Sequence, residues 1–222
     1  MKLLSVKQAR SIWLVSIVDL NPRGLSLFGL ITPIVNKYKF QIYPTKPEEL
    51  IGKDVIEIKF NGGSFQKDTK HNIAVDLTIF NDGLVVDTRS STKDSDAFLN
   101  DFLNYLSKEF SLTPYLEVIR SKIYVSEVWV QTDKLLNSLN PKLDSFAKRI
   151  NSLIEGHSHH PIAYETSGII FWTDPVVTNP PTSFRFERII DRPFAENRYY
   201  SVAPLQTDVH LEMLDELESI LI

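Results

Sequence analysis

The sequence predicts an α+β protein of two βα-rich halves, each with an antiparallel or mixed sheet and amphipathic helices packed mainly on one face. Three observations carry this expectation. Two alternating apolar and polar runs, Asn72–Asn81 and Leu84–Ser90, flank Asp82-Gly83, the pattern of a β-hairpin. Phe98, Leu99, Phe102, Leu103, Leu106 and Phe110 recur at three- and four-residue spacings behind Ser91-Thr92-Lys93-Asp94-Ser95, the pattern of a capped amphipathic helix. The same succession of paired strands, polar segment and amphipathic helix returns later in the chain.

Taken in order, Ile12–Val18 is apolar on both faces and rich in β-branched residues, which reads as a central strand covered on both sides. Lys2, Lys7 and Arg10 ahead of it imitate a signal peptide, but Asp19, Asn21, Pro22 and Arg23 follow in place of a small-residue cleavage site. Asn21-Pro22-Arg23-Gly24 is a turn. Leu25–Val35 contains Gly29 and Pro33 and is expected to be a short or broken helix. Tyr38–Tyr43 alternates as a strand does, and so does the run from Val55 to Phe60, which Asn61-Gly62-Gly63 is expected to end.

For the hairpin, a type I′ loop at Asp82-Gly83 requires positive φ at Gly83. That register places Phe80 opposite Val85, Thr78 opposite Asp87 and Asp76 opposite Arg89, with Val75, Leu77, Ile79, Leu84 and Val86 together on the core face. The helix that follows ends at Ser111-Leu112-Thr113-Pro114. This is the predicted boundary between an N-terminal half, residues 1–112, and a C-terminal half, residues 113–222, which share an interface as one compact unit.

The second half opens with a strand at Ile123–Gln131 and a helical stretch at Leu135, Leu136 and Leu139. Asn140 and Pro141 suit N-cap and N1 of a new helix carrying Leu143, Phe146, Ala147, Ile150, Leu153 and Ile154, which Gly156 can end. Ile169–Thr173 and Phe184–Ile190 are expected strands around a Pro-rich loop. A last helix begins near Thr207 with Val209, Leu211, Leu214, Leu217, Ile220 and Leu221 as its stripe. The local text of Thr92–Leu103 echoes that of Thr207–Leu217 too weakly to establish a duplication.

Composition excludes several classes of function. With 222 residues, 43% hydrophobic and 23% charged, the chain can bury a sizeable core and lacks the signature of disorder. Lys+Arg number 24 against 28 Asp+Glu, a net charge of -4. No global positive field draws in a polyanion, and nucleic acid is not the favoured partner. There is no cysteine, hence no disulfide, thiolate ligand or cysteine nucleophile, which suits a cytoplasmic protein. No stretch approaches the ~20 apolar residues of a membrane helix. Phosphate-loop, dinucleotide-turn and nucleophile-elbow motifs are missing, and no cofactor is expected.

Three groups of residues are chemical candidates. His157, His159 and His160, with Glu165 nearby and His210 far along the chain, supply metal-ligand types or acid-base groups without the spacing of a known zinc motif. A polar loop beyond a helix end is ordinarily just solvated. Asp76 and Asp87 fall diagonally on one hairpin face, about 7–8 Å apart, a separation that suits two acids flanking a water. Arg89 opposite Asp76 would instead make an ordinary ion pair. Finally, Arg185, Arg188, Arg192 and Arg198 interleave with Phe184, Phe186, Phe194, Tyr199 and Tyr200. Glu187, Asp191 and Glu196 among them make this a protein-contact pattern more than a phosphate track.

These observations favour a non-enzymatic interaction or accessory protein that contacts another protein or itself through Arg185, Arg188, Arg192, Arg198, Tyr199 and Tyr200. The alternative is a metal-dependent hydrolase or nuclease built from the histidine loop and a hairpin carboxylate.

Overall fold

Strand pairing organises the molecule. The computed structural model describes residues 1–46, 57–155, 163–177 and 180–221. Among them run β1 (Lys2–Leu14), α1 (Ile17–Leu20), α2 (Leu27–Tyr38), β2 (Glu57–Gln66), β3 (Asn72–Phe80), β4 (Gly83–Thr88), α3 (Thr92–Phe110) and α4 (Tyr115–Val118). They continue with β5 (Ser121–Gln131), a 3-10 turn at Leu136–Leu139, α5 (Pro141–Ile154), β6 (Gly168–Phe171), β7 (Phe184–Arg188), β8 (Arg198–Ala203) and α6 (Thr207–Ile220). The eight strands form one sheet in the order β2-β3-β4-β1-β5-β8-β7-β6, a mixed α+β architecture.

Residues 2–110 and 121–220 pass through the same succession. Each has a strand, a four-residue helical turn, a longer helix, three strands and a final helix, the second with an added 3-10 turn at Phe194–Glu196 between β7 and β8, and with sheet order β2-β3-β4-β1 in one and β6-β7-β8-β5 in the other. Chain contacts define two compact units: Val6–Ser126 with Pro204–Thr207, and Met1–Ser5 with Glu127–Ala203 and Asp208–Ile222. The division falls inside β5, between Ser126 and Glu127. Leu112 is buried in the first unit's core, and the Thr113 N–H donates to the Leu20 carbonyl at 2.9 Å, so this segment is tied down and does not act as a linker.

In the first unit, Trp13, Leu77, Leu84, Val86, Phe98 and Phe102 are fully buried in one apolar cluster that β1, β3, β4 and α3 share. The serines ahead of and within the first turn of α3 serve the ends of the elements. Ser91 Oγ accepts the Asp94 N–H at 3.1 Å as N-cap, and Ser95 Oγ donates to the Ala9 carbonyl of β1 at 2.7 Å.

Several sequence expectations change here. The strand does not continue to Val18: Ser16 caps a helical turn from Ile17, its Oγ accepting the Asp19 N–H. α2 is one unbroken helix running through Pro33 to Tyr38, held by burial of Leu30, Ile31, Ile34 and Tyr38. Tyr38–Tyr43 is not a strand; it ends α2 and makes one isolated bridge, Ile42 to Asn61. Val55 and Ile56 lie outside the described residues, and Asn61-Gly62-Gly63 does not end the strand from there. The register shifts between Phe60 and Gly63 as a bulge, with Gly62 at φ 67° and its N–H donating to Asp76 Oδ1 at 2.7 Å.

The hairpin loop is Asn81-Asp82, not Asp82-Gly83. Phe80 pairs with Gly83, Thr78 with Val85 and Asp76 with Asp87. None of Asn81, Asp82 and Gly83 has positive φ, so the turn is not type I′. β1 is the cause: Leu14 pairs with Gly83, which draws Gly83 into a ladder between two strands. The shift is by two residues, an even number, so Val75, Leu77, Ile79, Leu84 and Val86 remain on the buried face.

In the second unit, Asn140 caps α5 as expected, its Oδ1 accepting the Lys142 N–H at 3.0 Å with Pro141 at N1. Gly156 lies outside the described residues. β6, β7 and β8 pair antiparallel, with Ile169 opposite Phe186 and Phe186 opposite Ser201. Phe186 stacks on Tyr199 at 4.4 Å. α6 starts at Thr207 and buries His210 and Leu214, while Ile220 of the expected stripe is exposed. Among the described residues no helix is long and apolar enough to cross a membrane.

Candidate functional site

The hairpin carboxylates face each other directly across β3 and β4 and are engaged locally. Arg10 donates from Nε and Nη2 to the two oxygens of Asp87, each at 2.8 Å, and Gln8 adds a bond at 2.9 Å. Asp76 holds the bulge amide of Gly62. Neither is opposite Arg89. His157, His159 and His160 lie outside the described residues, and among the described residues no group of three or more His, Asp or Glu could hold a metal ion.

The arginine and aromatic segment sorts by strand alternation. Phe184, Phe186 and Arg188 of β7 share a face with Tyr199 and Ser201 of β8, since Arg188 pairs with Tyr199 and Phe186 with Ser201. That face is interior. Tyr199 is fully buried and Arg188 is 7% exposed, whereas the other four of the six expected contact residues lie in the strands or turn with some exposure. Arg188 Nη1 donates to the Phe194 carbonyl at 2.8 Å and Nη2 to Glu165 at 3.2 Å, with the guanidinium 4.5 Å from the Phe194 ring. It clamps the turn at residues 194–197 from inside.

The opposite face is partly open. It carries Arg185, Tyr200 and Arg198, with Arg192 exposed in the turn after β7. Tyr200 donates to Glu127 Oε2 at 2.6 Å; burial first, then that carboxylate, push its phenol above the ordinary range. Arg198 pairs with Glu196 at 3.0 Å. The Arg185 guanidinium lies 6.0 Å from the Trp172 ring, within cation-π reach.

Trp172 belongs to a feature that residue types alone do not single out. β6 is the end strand of the sheet; Ile170 and Phe171 in it and Trp172 immediately after it are 48%, 63% and 71% exposed. Successive residues point to opposite faces, so apolar surface is open on both sides of this edge. α5 is also open: Ala147 is its one buried residue, while Phe146 is 64% exposed and Leu143 and Leu153 are exposed as well.

The first unit treats the corresponding elements differently. Its end strand, β2, bears Glu57 and Lys59, a bulge at Gly62 and a bridge from Ile42, devices that blunt a sheet edge. Its longer helix, α2, buries its stripe. A cleft of about 510 Å³ lies beside α2, lined by Tyr38, Lys39, Ser64 and Asn72. Its Asp101 is already bound by Lys37 at 2.8 Å and by the Tyr38 hydroxyl at 2.7 Å, so the cleft presents no free acid-base pair.

Chemically, β6 and β7 offer backbone hydrogen-bonding groups, apolar side chains and the Arg185 cation, and α5 offers exposed apolar side chains beside Lys142, Lys148 and Arg149. This is equipment for binding a polypeptide. Uncharged Ile-Ile-Phe-Trp was legible as a strand, but its position at a sheet edge depends on strand order and left no mark in the local text. Comparison with known protein families, curated proteins and solved structures finds no match.

Proposed function

We propose that this chain is a non-enzymatic interaction or accessory protein that docks a protein partner on the second unit, with a cytoplasmic setting consistent with its lack of cysteine. One observation carries the reading: the second unit leaves open, on β6 and α5, apolar side chains whose counterparts on β2 and α2 are protected or buried. Large apolar side chains exposed together on one element mark a binding role more often than singly scattered ones do. The alternative of a metal-dependent hydrolase draws no support from Asp76 and Asp87, which are engaged by Gly62 and Arg10.

The test compares wild type with Phe146→Asp/Trp172→Asp, both positions being exposed. The melts are expected to match. Wild type is expected to retain from host extract a protein identifiable by mass spectrometry, whose binding recurs with purified components and weakens at least about tenfold in the double variant, as loss of apolar anchors predicts. Equal binding by both proteins, or no reproducible partner, would overturn the reading.

A further inference from the structure

The open edge of β6 has a defined polarity. The Arg188 N–H donates to the Ser167 carbonyl at 2.7 Å, and the register sets Gly168 against Glu187 and Ile169 against Phe186. Hydrogen-bonded and non-bonded pairs alternate along an antiparallel ladder. The rungs to β7 therefore fall on Ser167, Ile169 and Phe171, and the N–H and C=O groups of Gly168 and Ile170 point away from β7. Among the described residues nothing pairs with them.

We propose that a second copy of this chain pairs with this edge, β6 against β6, antiparallel about a two-fold axis through Ile170. The proposal rests on the interaction reading above and names one partner for it. Outward-facing groups must meet outward-facing groups, so a symmetric pairing has to be centred on a residue. Centring on Ile170 puts Ile169 opposite Phe171 of the second copy and Gly168 opposite its Trp172. Aromatic over glycine is a favourable cross-strand match, and symmetry supplies it at both ends. The strand contains no charge, proline or bulge to oppose the pairing.

Size sets the strength. At ~200 Å² per side chain, Ile170, Phe171 and Trp172 leave about 350 Å² open per copy. A standard stable interface takes about 800 Å² per partner, so the dimer belongs to the weak, reversible class.

The absence of cysteine provides the experiment. Residues facing each other in a hydrogen-bonded antiparallel pair have Cα atoms about 5.5 Å apart, inside the disulfide range. Full-length Ile170→Cys is expected to cross-link to a covalent dimer on mild oxidation, at least several-fold faster than Val176→Cys, which is exposed but lies outside the strand. Sedimentation velocity of wild type from about 5 to 500 µM is expected to show a reversible dimer whose share rises with concentration. Ile170→Pro removes the edge-facing N–H and spares the rungs to β7, so it is expected to remain monomeric with an unchanged melt. If its melt falls, Ile170→Lys, which sets two like charges on the axis, takes its place. A wild type that is monomeric throughout, a dimer indifferent to both variants, or equal cross-linking at both cysteines would overturn the proposal. If the partner captured in the preceding experiment still binds in that event, only the occupant of the edge is wrong and the interaction reading stands.

Discussion

His210 shows what a single side chain contributes when its surroundings are fixed by tertiary structure. It is fully buried, with Nε2 2.8 Å from Ser201 Oγ, and Ser201 Oγ donates to the Arg185 carbonyl at 2.7 Å. The one hydroxyl proton is thus engaged, so Nε2 carries the imidazole proton and donates, and Nδ1 is left as a buried acceptor with no partner among the described residues. Burial lowers the ring's pKa to about 4 from the ordinary 6.5. Because the folded value is depressed, the unfolded chain binds more protons between these two values. The associated stability is complete above pH 6.5 and is lost as pH falls toward 4. Chemical denaturation at pH 7 and pH 4 is expected to differ by up to about 3 kcal/mol more in wild type than in His210→Leu; equal losses would show that the ring titrates normally. The sequence grouped His210 with distant metal-ligand types because residue identity says nothing about burial.

At the scale of elements, what local chemistry controls was legible. Asn140-Pro141 begins α5 where cap and N1 preferences place them, and Ser91 caps α3. Elements whose limits depend on a neighbouring strand were not. Gly83 reads as a turn residue, yet pairing with Leu14 of β1 makes it the first residue of β4. A Cβ there would lie 3.0 Å from the Trp13 carbonyl oxygen and 3.4 Å from the Leu14 side chain. Gly83→Val is accordingly expected to lower stability by about 1–3 kcal/mol through crowding against β1, with no contribution from a left-handed φ. Gly83→Ala separates the causes, since crowding that scales with side-chain size makes alanine the milder change. An unchanged midpoint for valine in a thermal melt would contradict the close approach.

For the whole molecule, α6 is the element whose two ends are held by distant parts of the chain. Thr92 and Thr207, the first residues of α3 and α6, exchange hydrogen bonds: each N–H donates to the other's Oγ1, at 3.1 and 2.9 Å. In the second unit, Asp215 and Glu218 of α6 bind the Met1 amino group and Glu218 also accepts from Thr132, which relieves part of the acidity that the helix sequence leaves unbalanced. Deleting residues 207–222 removes His210, Leu214 and Leu221 from buried positions and is expected to give insoluble or molten protein. Glu212→Lys/Glu216→Lys, on exposed positions, is expected to shift the melt by no more than about 0.5 kcal/mol in stability. A truncated chain that melts like wild type would show that α6 is not core. By itself, the sequence determined the α+β class, most of the strands and helices, and which face of the β3–β4 hairpin is buried. All of these follow from periodicity and capping over a few neighbouring residues. Only the tertiary structure decided the sheet order, the two-residue shift of the hairpin, the burial of Arg188 and Tyr199, and the exposure of β6 and α5. Each depends on contacts between residues distant in sequence, whose energies outweigh local propensity and leave no local pattern to read.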